Sequence, residues 1–310
     1  SAPEYQQKQP NLKCWHTQFL VLGTSTECPL TSVKEIKDPV IARLDILVDH
    51  CKIRLGFRIE RTVRTQMINE VTIDPNDEDC LDTLNSVDKA IVTRSSKRAF
   101  LSTPVEHKLI AQILSVAAWA PSGTNMQPWK VIVLAGKARQ RLSDAICEAF
   151  FSGDKVHDRT WKYYPDEFFE PYKARRRACG IGLYQTLGIE KDETEKMRQQ
   201  RARNYKFFDA PVGMIFSIHN DLEIGSWMDF GMFLQNIMVS ARGHGLHTCA
   251  QAAFSDFHII IKEQLAIPDD ETVVCGMAMG YADPDQKVNQ FRPERESLSS
   301  YANFQYDEER

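Results

Sequence analysis

Three separated parts of the chain combine positive charge with hydroxyl or amide groups. They are TRSSKRAF (93–100), APSGTNMQPWKVIV (120–133) and FRPER (291–295). Guanidinium groups bind the oxygens of phosphate or carboxylate in pairs, and hydroxyl and amide groups add directional hydrogen bonds, so these residues suit an anionic, polar ligand. Taken singly, each part has a plainer explanation: cations at the end of a helix, a turn-rich connection between a helix and a strand, and a solvated run of charge.

Several other motifs that carry chemistry are missing from the sequence. It contains no GxSxG, no Walker loop and no HExxH, so hydrolysis and phosphoryl transfer lack their usual support. GIGLYQ (180–185) looks like the start of a dinucleotide-binding fingerprint, but it lacks the third glycine and follows a basic helix. The eight cysteines form no CxxC pair, and His244 and His247 have only Cys249 nearby. We therefore predict neither a metal site nor a catalytic side chain.

The composition is that of a globular protein. The chain has 310 residues, 43% of them hydrophobic, and a formal net charge of −4 at pH 7. This charge argues against a broad surface for nucleic acid, and no apolar run reaches the ~18 residues that span a bilayer. Scattered thiols suit a reducing compartment. We expect a cytoplasmic protein that binds neither nucleic acid nor a membrane.

A short acidic stretch at 74–82 predicts a boundary near residue 80. We divide the chain into an N-terminal extension of unknown role (1–80) and a main domain (81–310). Within the extension, Asp38 and Pro39 predict the start of a helix whose apolar stripe is Ile41, Leu44, Val48, Cys51 and Leu55. An accessory arm packed on the main domain is the expectation, with disorder as the alternative.

Helices and strands alternate in the main domain. Thr103 and Pro104 predict the cap and first residue of its second helix. The segment 228–241, MDFGMFLQNIMVSA, is apolar on nearly every side, so we expect it to be buried all round and to form a subunit interface. Interleaved elements predict an α+β fold of α/β layers, with helices on both faces of one sheet. The predicted helices are 81–91, 105–118, 138–150, 171–187, 190–203, 228–241 and 257–265, and the predicted strands 130–135, 212–218 and 271–281.

Four motifs follow one another along the chain in a distinctive order. They are RSSKRAF (94–100), APSGTNMQPW (120–129), GLHTCAQAAF (245–254) and CGMAMGYADP followed by NQFRPER (275–295). In order and spacing they resemble the nitroreductase family of FMN-dependent, NAD(P)H-using enzymes, in particular its nitrobenzoate-reductase-like members. The resemblance covers about residues 81–300. It implies a nitroreductase-like FMN fold, a central, mostly antiparallel sheet flanked by helices, in an intertwined homodimer with FMN at the interface.

The resemblance gives the loop after the second helix a role in FMN binding. The implied contacts are Pro121, Ser122, Gly123 and Asn125. Proline and glycine let the backbone approach a flat ring closely, and the Asn125 amide can both donate and accept hydrogen bonds. Gln127 and Trp129 are expected to lock this loop to the core.

The two cationic motifs are implied to hold the ends of FMN. Arg94 and Ser96 would bind the phosphate from one side and Arg295 from the other, with Arg292 as a weaker candidate. Arg98 would lie near the pyrimidine edge of the ring, where a positive charge favours reduction. The family usually has a second basic residue where this chain has Ser95.

Three small or amide side chains are implied to line the flavin ring. Gln251, Ala252 and Ala253 correspond to the family segment beside the reactive part of the flavin, and Asn204 is a further implied contact. Many relatives carry glycine where this chain has His247.

The activity implied by the resemblance is that of an NAD(P)H-dependent FMN nitroreductase. NADH or NADPH would pass a hydride to FMN and leave, and a nitroaromatic or quinone-like acceptor would then take its place. The aromatic-rich segment 148–172 is either a lid over this pocket or a packed surface excursion. The alternatives for the function are a specialised member of the flavin family and a non-catalytic FMN-binding or regulatory protein.

Overall fold

The computed structural model describes residues 73–153 and 160–305, together with the backbone of three strands before residue 57. The chain divides into two compact units, which are described separately. One consists of Ser1–Met67 with Asn303–Arg310, and the other of Ile68–Ala302. The division of the chain at residue 80 stays a prediction.

The described part of the first unit is an antiparallel sheet in the order β1 (Val33–Ile36), β2 (Arg43–Val48) and β3 (Cys51–Gly56). The helix predicted across this region is therefore wrong, while its predicted start at Asp38 and Pro39 lies outside the described residues. Apolar residues alternate along β2, and the register sets Leu44 opposite Leu55 and Ile46 opposite Ile53. This period of two, with β-branched residues in both strands, is the strand signal that the helical spacing concealed.

The second unit contains eight helices and four strands within its described residues. The helices are α1 (Glu78–Asp82), α2 (Ser86–Thr93), α3 (His107–Ala117), α4 (Gly136–Ser152), α5 (Tyr172–Leu187), α6 (Thr194–Ala202), α7 (Ile224–Gly243) and α8 (His258–Leu265). The strands are β4 (Lys130–Ala135), β5 (Val212–His219), β6 (His247–Gln251) and β7 (Glu271–Gly280).

The four strands form one antiparallel sheet in the order β4-β5-β7-β6. Side chains alternate across β5: Met214 and Phe216 belong to a core shared with α3 and α7, whereas Ile215 belongs to a core with α4 and α8. The sheet is thus covered by helices on both faces, and the predicted α+β fold with a mostly antiparallel sheet is confirmed. β6 is left at one edge.

Two helix starts differ from the prediction. The helix predicted over 81–91 is interrupted, because the Asn85 side chain accepts hydrogen bonds from the backbone N–H of Val87 and Asp88, both at 2.9 Å, and starts α2 anew. The next helix begins at His107 rather than beside Pro104, with Glu106 at its N-cap. Val105 remains non-helical and buried in the core.

The apolar helix α7 is not buried all round within one chain, so that part of the prediction is wrong. Phe230, Phe233 and Ile237 face the core, whereas the side chains of Ile224 and Met228 are 78% and 67% exposed. Met232, one turn beyond Met228, is also exposed, so the outer stripe follows helical spacing. Sequence alone cannot separate burial in the core from an apolar face that the single chain leaves open.

A buried carboxylate closes the sheet at the start of β7. Glu271 accepts hydrogen bonds from the Lys130 ammonium group and, at 2.5 Å, from the Ser217 hydroxyl. Burial by itself raises the pKa of Glu271, but these two hydrogen bonds outweigh it, so the pKa lies below its usual value. Ionised Glu271 therefore stabilises the folded state.

We predict that Glu271→Gln lowers the free energy of unfolding at pH 7 by about 1.5–3 kcal/mol, the range for a hydrogen bond to a charged group. Because the folded pKa is depressed, this contribution is present above the usual carboxyl pKa and is lost as pH falls through the folded pKa. Urea unfolding at several pH values should thus show the wild type and the variant converging in acid. Glu263→Gln, an exposed site on α8, is the control, and an equal loss in both variants would contradict this account.

Candidate functional site

The segment after α2 is attached to the edge of the sheet. Ser96 forms an isolated parallel bridge with Thr248 on β6, and the Lys97 N–H donates to the Thr248 carbonyl at 3.2 Å. Because β6 is an edge strand, its outward-facing backbone groups are free to make this pairing. The bridge places Arg94, Ser96 and Arg98 beside β6.

Asn289 joins the same segment to the C-terminal motif. Its Oδ1 accepts from the Arg98 N–H at 2.8 Å, and its Nδ2 donates to the carbonyls of Ala99 at 2.8 Å and Asp283 at 2.9 Å. The Lys97 ammonium donates to the Asn289 carbonyl at 2.8 Å. Asn289 is buried, and sequence reasoning assigned it no role although it begins NQFRPER. A polar residue preceding an arginine-rich motif was the available signal.

Of the two late arginines, Arg292 is held at the end of α2 and Arg295 by its own segment. The Arg292 guanidinium donates to the Val92 carbonyl, and Arg295 donates to the carbonyls of Pro293 at 3.0 Å and Glu294 at 3.1 Å. Phe291 packs on α5 at Gly182, where an added Cβ would lie 2.8 Å from the ring. Gly182, the second glycine of GIGLYQ, therefore makes room for Phe291 and lies within a helix rather than in a phosphate-binding turn.

Arginines from the two motifs repel one another. Burial, then the charge of Arg295, lowers the pKa of Arg94. Burial and the charges of Arg295 and Arg94 lower the pKa of Arg292, and Asp74 acts weakly in the opposite direction. Arg94 and Arg292 remain cations at neutral pH. Repulsion among the arginine charges means that a bound anion would stabilise this arrangement.

A further positive charge, that of Arg242, lies at the C-terminal end of α7 and contacts the end of α2. The Arg242 Nε donates to the Thr93 hydroxyl at 3.1 Å. Burial and the nearby charges of Arg242 and Lys97 lower the pKa of His247 to about 4. His247 is therefore neutral at pH 7, and its buried Nδ1 makes no hydrogen bond within the described part of the chain.

The loop between α3 and β4 has an unusual backbone. Thr124, Asn125 and Gln127 have φ values of 48°, 60° and 49°, in the left-handed region that side chains other than glycine disfavour. The Gln127 N–H donates to the Ser122 hydroxyl at 3.0 Å, and the Gln127 side chain donates to the Asn125 carbonyl at 3.2 Å. The Asn125 side chain is exposed. Such conformations cost about 1–3 kcal/mol each, persist only where the surrounding structure holds them, and cluster at functional sites.

This loop is anchored to α7 at both ends. The Gly123 N–H donates to Asp229 Oδ2 at 3.0 Å, and the Trp129 ring stacks on Phe233 with centroids 4.8 Å apart. Trp129 thus locks the loop to the core as predicted, whereas Gln127 is exposed and stabilises the loop itself. Sequence reasoning missed Asp229, although a lone carboxylate within an apolar helix was the signal.

Polar side-chain atoms along β6 are buried without a hydrogen-bond partner in the ranges that the structure describes. Gln251 is buried, and its Nε2 donates to the Asn204 carbonyl at 2.7 Å. Its Oε1 and the Thr248 hydroxyl are buried without a hydrogen-bond partner among the described residues. Ala252 and Ala253 follow, half-buried, at the start of a short 3-10 helix. Unpaired buried polar atoms are costly, so these two are candidates for contact with a ligand.

The predicted residues form two groups within one chain. The first group consists of Arg94, Ser96, Arg98, Arg292 and Arg295, beside the start of β6. Gln251 ends β6 with a hydrogen bond to the Asn204 carbonyl, and Ala252 and Ala253 follow it in the short 3-10 helix. Pro121, Ser122, Gly123 and Asn125 form the second group.

The two groups are far apart along α7. The loop binds α7 at Asp229, whereas the cationic group reaches the helix at Arg242. At the rise of an α-helix, these two positions are separated by about 20 Å.

The aromatic-rich segment is partly packed. The Trp161 Nε1 donates to the Val273 carbonyl at 3.1 Å, and its ring meets Trp227 with centroids 5.0 Å apart. Tyr163 and Tyr164 are exposed, and residues 154–159 lie outside the described part. The packed alternative therefore holds for Trp161, and a lid role for the rest stays a prediction.

An antiparallel sheet between two helical layers, with cations gathered on its edge strand, defines the class of fold and site. The nitroreductase family model matches residues 91–281, and the chain belongs to the nitroreductase family. It is 38% identical over 221 residues to the chloronitrobenzene nitroreductase of Comamonas testosteroni, covering 71% of this chain and 97% of that protein. It is likewise 38% identical to the 4-nitrobenzoate reductase of Pseudomonas putida, covering 70% of this chain and 94% of that protein.

Solved structures show the same relationship. The FMN- and NADPH-dependent nitroreductase NfnB from Sphigopyxis sp. strain HMH superposes with a TM-score of 0.70 at 32% identity, covering 72% of this chain and 100% of that chain. The FMN-dependent nitroreductase NfnB from Mycobacterium smegmatis, solved in complex with NADPH, gives a TM-score of 0.68 at 28% identity, covering 71% and 98%. In the described ranges, no helix has the length and apolar character needed to cross a membrane.

We predict that His247 makes the folded protein sensitive to mild acid. Its folded pKa of about 4 lies below its usual value of 6.5, so below pH 6.5 the unfolded chain takes up a proton that the folded chain refuses. Neutral His247 therefore causes no loss of folding stability above pH 6.5, and the loss that it causes grows as pH falls toward 4. A His247→Gln variant should show a smaller fall in melting temperature between pH 7 and 5 than the wild type. His244→Gln, at an exposed position, is the control. If the melting temperature fell equally with pH in the wild type and in His247→Gln, the assignment of this acid sensitivity to His247 would be contradicted.

Proposed function

We propose that this chain is an NAD(P)H-dependent FMN oxidoreductase that reduces nitroaromatic compounds. The observation that carries the proposal is the group of mutually repelling arginines held beside β6, because it calls for a bound anion. Similarity to FMN-dependent nitroreductases of known structure, over about 70% of the chain, supports FMN as that anion. Similarity to nitrobenzene and nitrobenzoate reductases supports a nitroaromatic acceptor.

The cationic group fits the phosphate end of FMN. The charge of Arg295 adds to burial in lowering the pKa of Arg94, and a dianionic phosphate could accept hydrogen bonds from both guanidinium groups. The Ser96 hydroxyl lies in the same segment and adds a donor. Arg292 is the weaker candidate, because its guanidinium donates to the carbonyl of a different element, at Val92, whereas Arg295 donates to carbonyls of its own segment.

The residues along β6 fit the ring end. The unpaired Gln251 Oε1 and Thr248 hydroxyl could each complete a hydrogen bond to a polar ligand edge. Ala252 and Ala253 leave space for a flat substrate over the ring. Asn204 acts through Gln251, since its carbonyl is bonded to that side chain and its own amide donates to the Arg201 carbonyl at 3.0 Å.

The chemistry belongs to the cofactor, and FMN when bound accepts a hydride and passes electrons on. The chain supplies position and charge. Arg98, fixed through its N–H to Asn289, places a positive charge beside the ring site, and this charge favours the reduced form. No side chain is assigned as nucleophile or proton donor.

We further propose a homodimer whose two sites each draw on both subunits. Ile224, Met228 and Met232 form an exposed apolar stripe, and Trp119, beside the loop, is 88% exposed. Apolar surface of this kind is typical of subunit interfaces. A dimer could bring the loop of one subunit to the cationic group of the other, which about 20 Å of α7 separates within one chain.

We also propose a cytoplasmic location and a division of the chain into two parts. Free thiols of Cys147, Cys249 and Cys275 are buried and suit a reducing, cytoplasmic environment. Residues 81–310 would form the FMN-binding domain, and residues 1–80 an N-terminal extension of unknown role.

The visible spectrum of the purified protein tests the function. We expect a flavin spectrum that bleaches when NADH or NADPH is added without oxygen and returns on addition of 4-nitrobenzoate. A flavin that never bleaches with either nucleotide would indicate a non-catalytic FMN-binding protein. A protein that takes up no FMN on reconstitution would overturn the proposal.

A further inference from the structure

The loop from Ser122 to Gln127, which we call the flavin loop, does not hold its shape through ordinary packing. Three of its residues have left-handed backbone conformations, including the β-branched Thr124. Most of its hydrogen bonds are internal, such as those from the N–H groups of Asn125 to the Ser122 carbonyl and of Met126 to the Gly123 carbonyl. Such bonds define a local shape without fixing its place on the protein.

One hydrogen bond fixes that place. Within the described part of the chain, the bond from the Gly123 N–H to Asp229 Oδ2, at 3.0 Å, is the only one that joins the flavin loop to another element. Asp229 lies on α7 one turn before Phe233, on which Trp129 stacks just beyond the loop. The same helix therefore anchors the polar start and the aromatic end of the connection.

Asp229 is a lone carboxylate on an apolar helix. It is half-buried and lies next to Met228 and one turn from Met232, on a helix with no other acidic residue. Its Oδ2 accepts the hydrogen bond from the Gly123 N–H, and a hydrogen bond from a backbone N–H to a carboxylate is among the stronger ones in proteins.

We infer that Asp229 is a positioning residue for the flavin: by holding Gly123, it sets the place at which Ser122 and Asn125 meet the cofactor. The inference rests on the proposed FMN function and adds a residue that acts through the Gly123 backbone. The carboxylate acts through its accepting oxygen. An amide oxygen at the same position can replace it, whereas a methyl group cannot.

The experiment compares Asp229→Ala and Asp229→Asn with the wild-type holoenzyme. Equilibrium dialysis gives the dissociation constant for FMN, visible circular dichroism reports how the ring is seated, and thermal unfolding reports stability. Asn236→Ala is the matched control, because its Nδ2 donates to the Ala117 carbonyl at 3.3 Å from the same helix but outside the flavin loop.

We expect the dissociation constant of Asp229→Ala to rise about tenfold, which corresponds to about 1.4 kcal/mol, with a changed flavin circular dichroism spectrum. Asp229→Asn should stay within about threefold of the wild type, a difference under 1 kcal/mol. Asn236→Ala should lower the melting temperature while leaving both flavin signals unchanged.

Two results would overturn the inference. One is an Asp229→Ala protein with wild-type FMN affinity and spectrum, and the other is an Asp229→Asn protein as impaired as Asp229→Ala. In both cases the wild type would still bind and bleach, so the proposed function would survive. A wild type that binds no FMN would instead remove the function and the inference together.

Discussion

Repulsion among the arginines at the end of α2 is the constraint on which the site depends. Arg94 and Arg292 both lose proton affinity through burial and through their neighbours' charges, so the fold must hold them together against their own field. It does so with neutral partners: the edge of β6 through Thr248, the side chain of Asn289 and the carbonyl of Val92. Neutral partners leave the charge uncompensated, so it remains available to a phosphate.

Helix α7 links this cationic group to the rest of the molecule. Its inner face packs on the sheet through Phe230 and Phe233, its C-terminal end donates from Arg242 to Thr93, and its N-terminal half carries Asp229. Its outer face offers Met228 and Met232 to solvent. One element thus carries the core, both halves of the site and the proposed interface. Changes in subunit packing would therefore be felt directly by the flavin loop.

The regular layers of the second unit could be predicted from sequence because their signals are local. Strand β5 and helix α3 were predicted within two residues of their observed bounds, and the sheet between helical layers followed from the order of the elements. The strands before residue 57 were missed because residues 44, 48 and 55 fit a helical stripe as well as an alternating one. The exposure of α7 was missed because hydrophobicity does not say which chain provides the cover.

The site was predictable only in part, for a different physical reason. Arginines and a loop rich in proline and glycine announce themselves by residue type. Asn289 and Asp229 do not, because their roles lie in hydrogen bonds to Arg98 and Gly123, which are remote in sequence. Such pairings follow from tertiary structure, and no local pattern encodes them. The left-handed residues Thr124 and Gln127 are similar, since neither residue type favours that conformation.

Mixing two defective subunits tests the central claim, that each site joins the cationic group of one chain to the flavin loop of its partner. Arg94→Ala and Asn125→Ala would each be made as a homodimer with weakened FMN binding, then combined by co-expression and isolated as the mixed dimer through two affinity tags. If the sites are shared, one site in the mixed dimer receives both intact parts, and tight FMN binding returns to about half the sites. If both parts come from the same chain, every site keeps one defect, and a mixed dimer with no tight site would contradict the account.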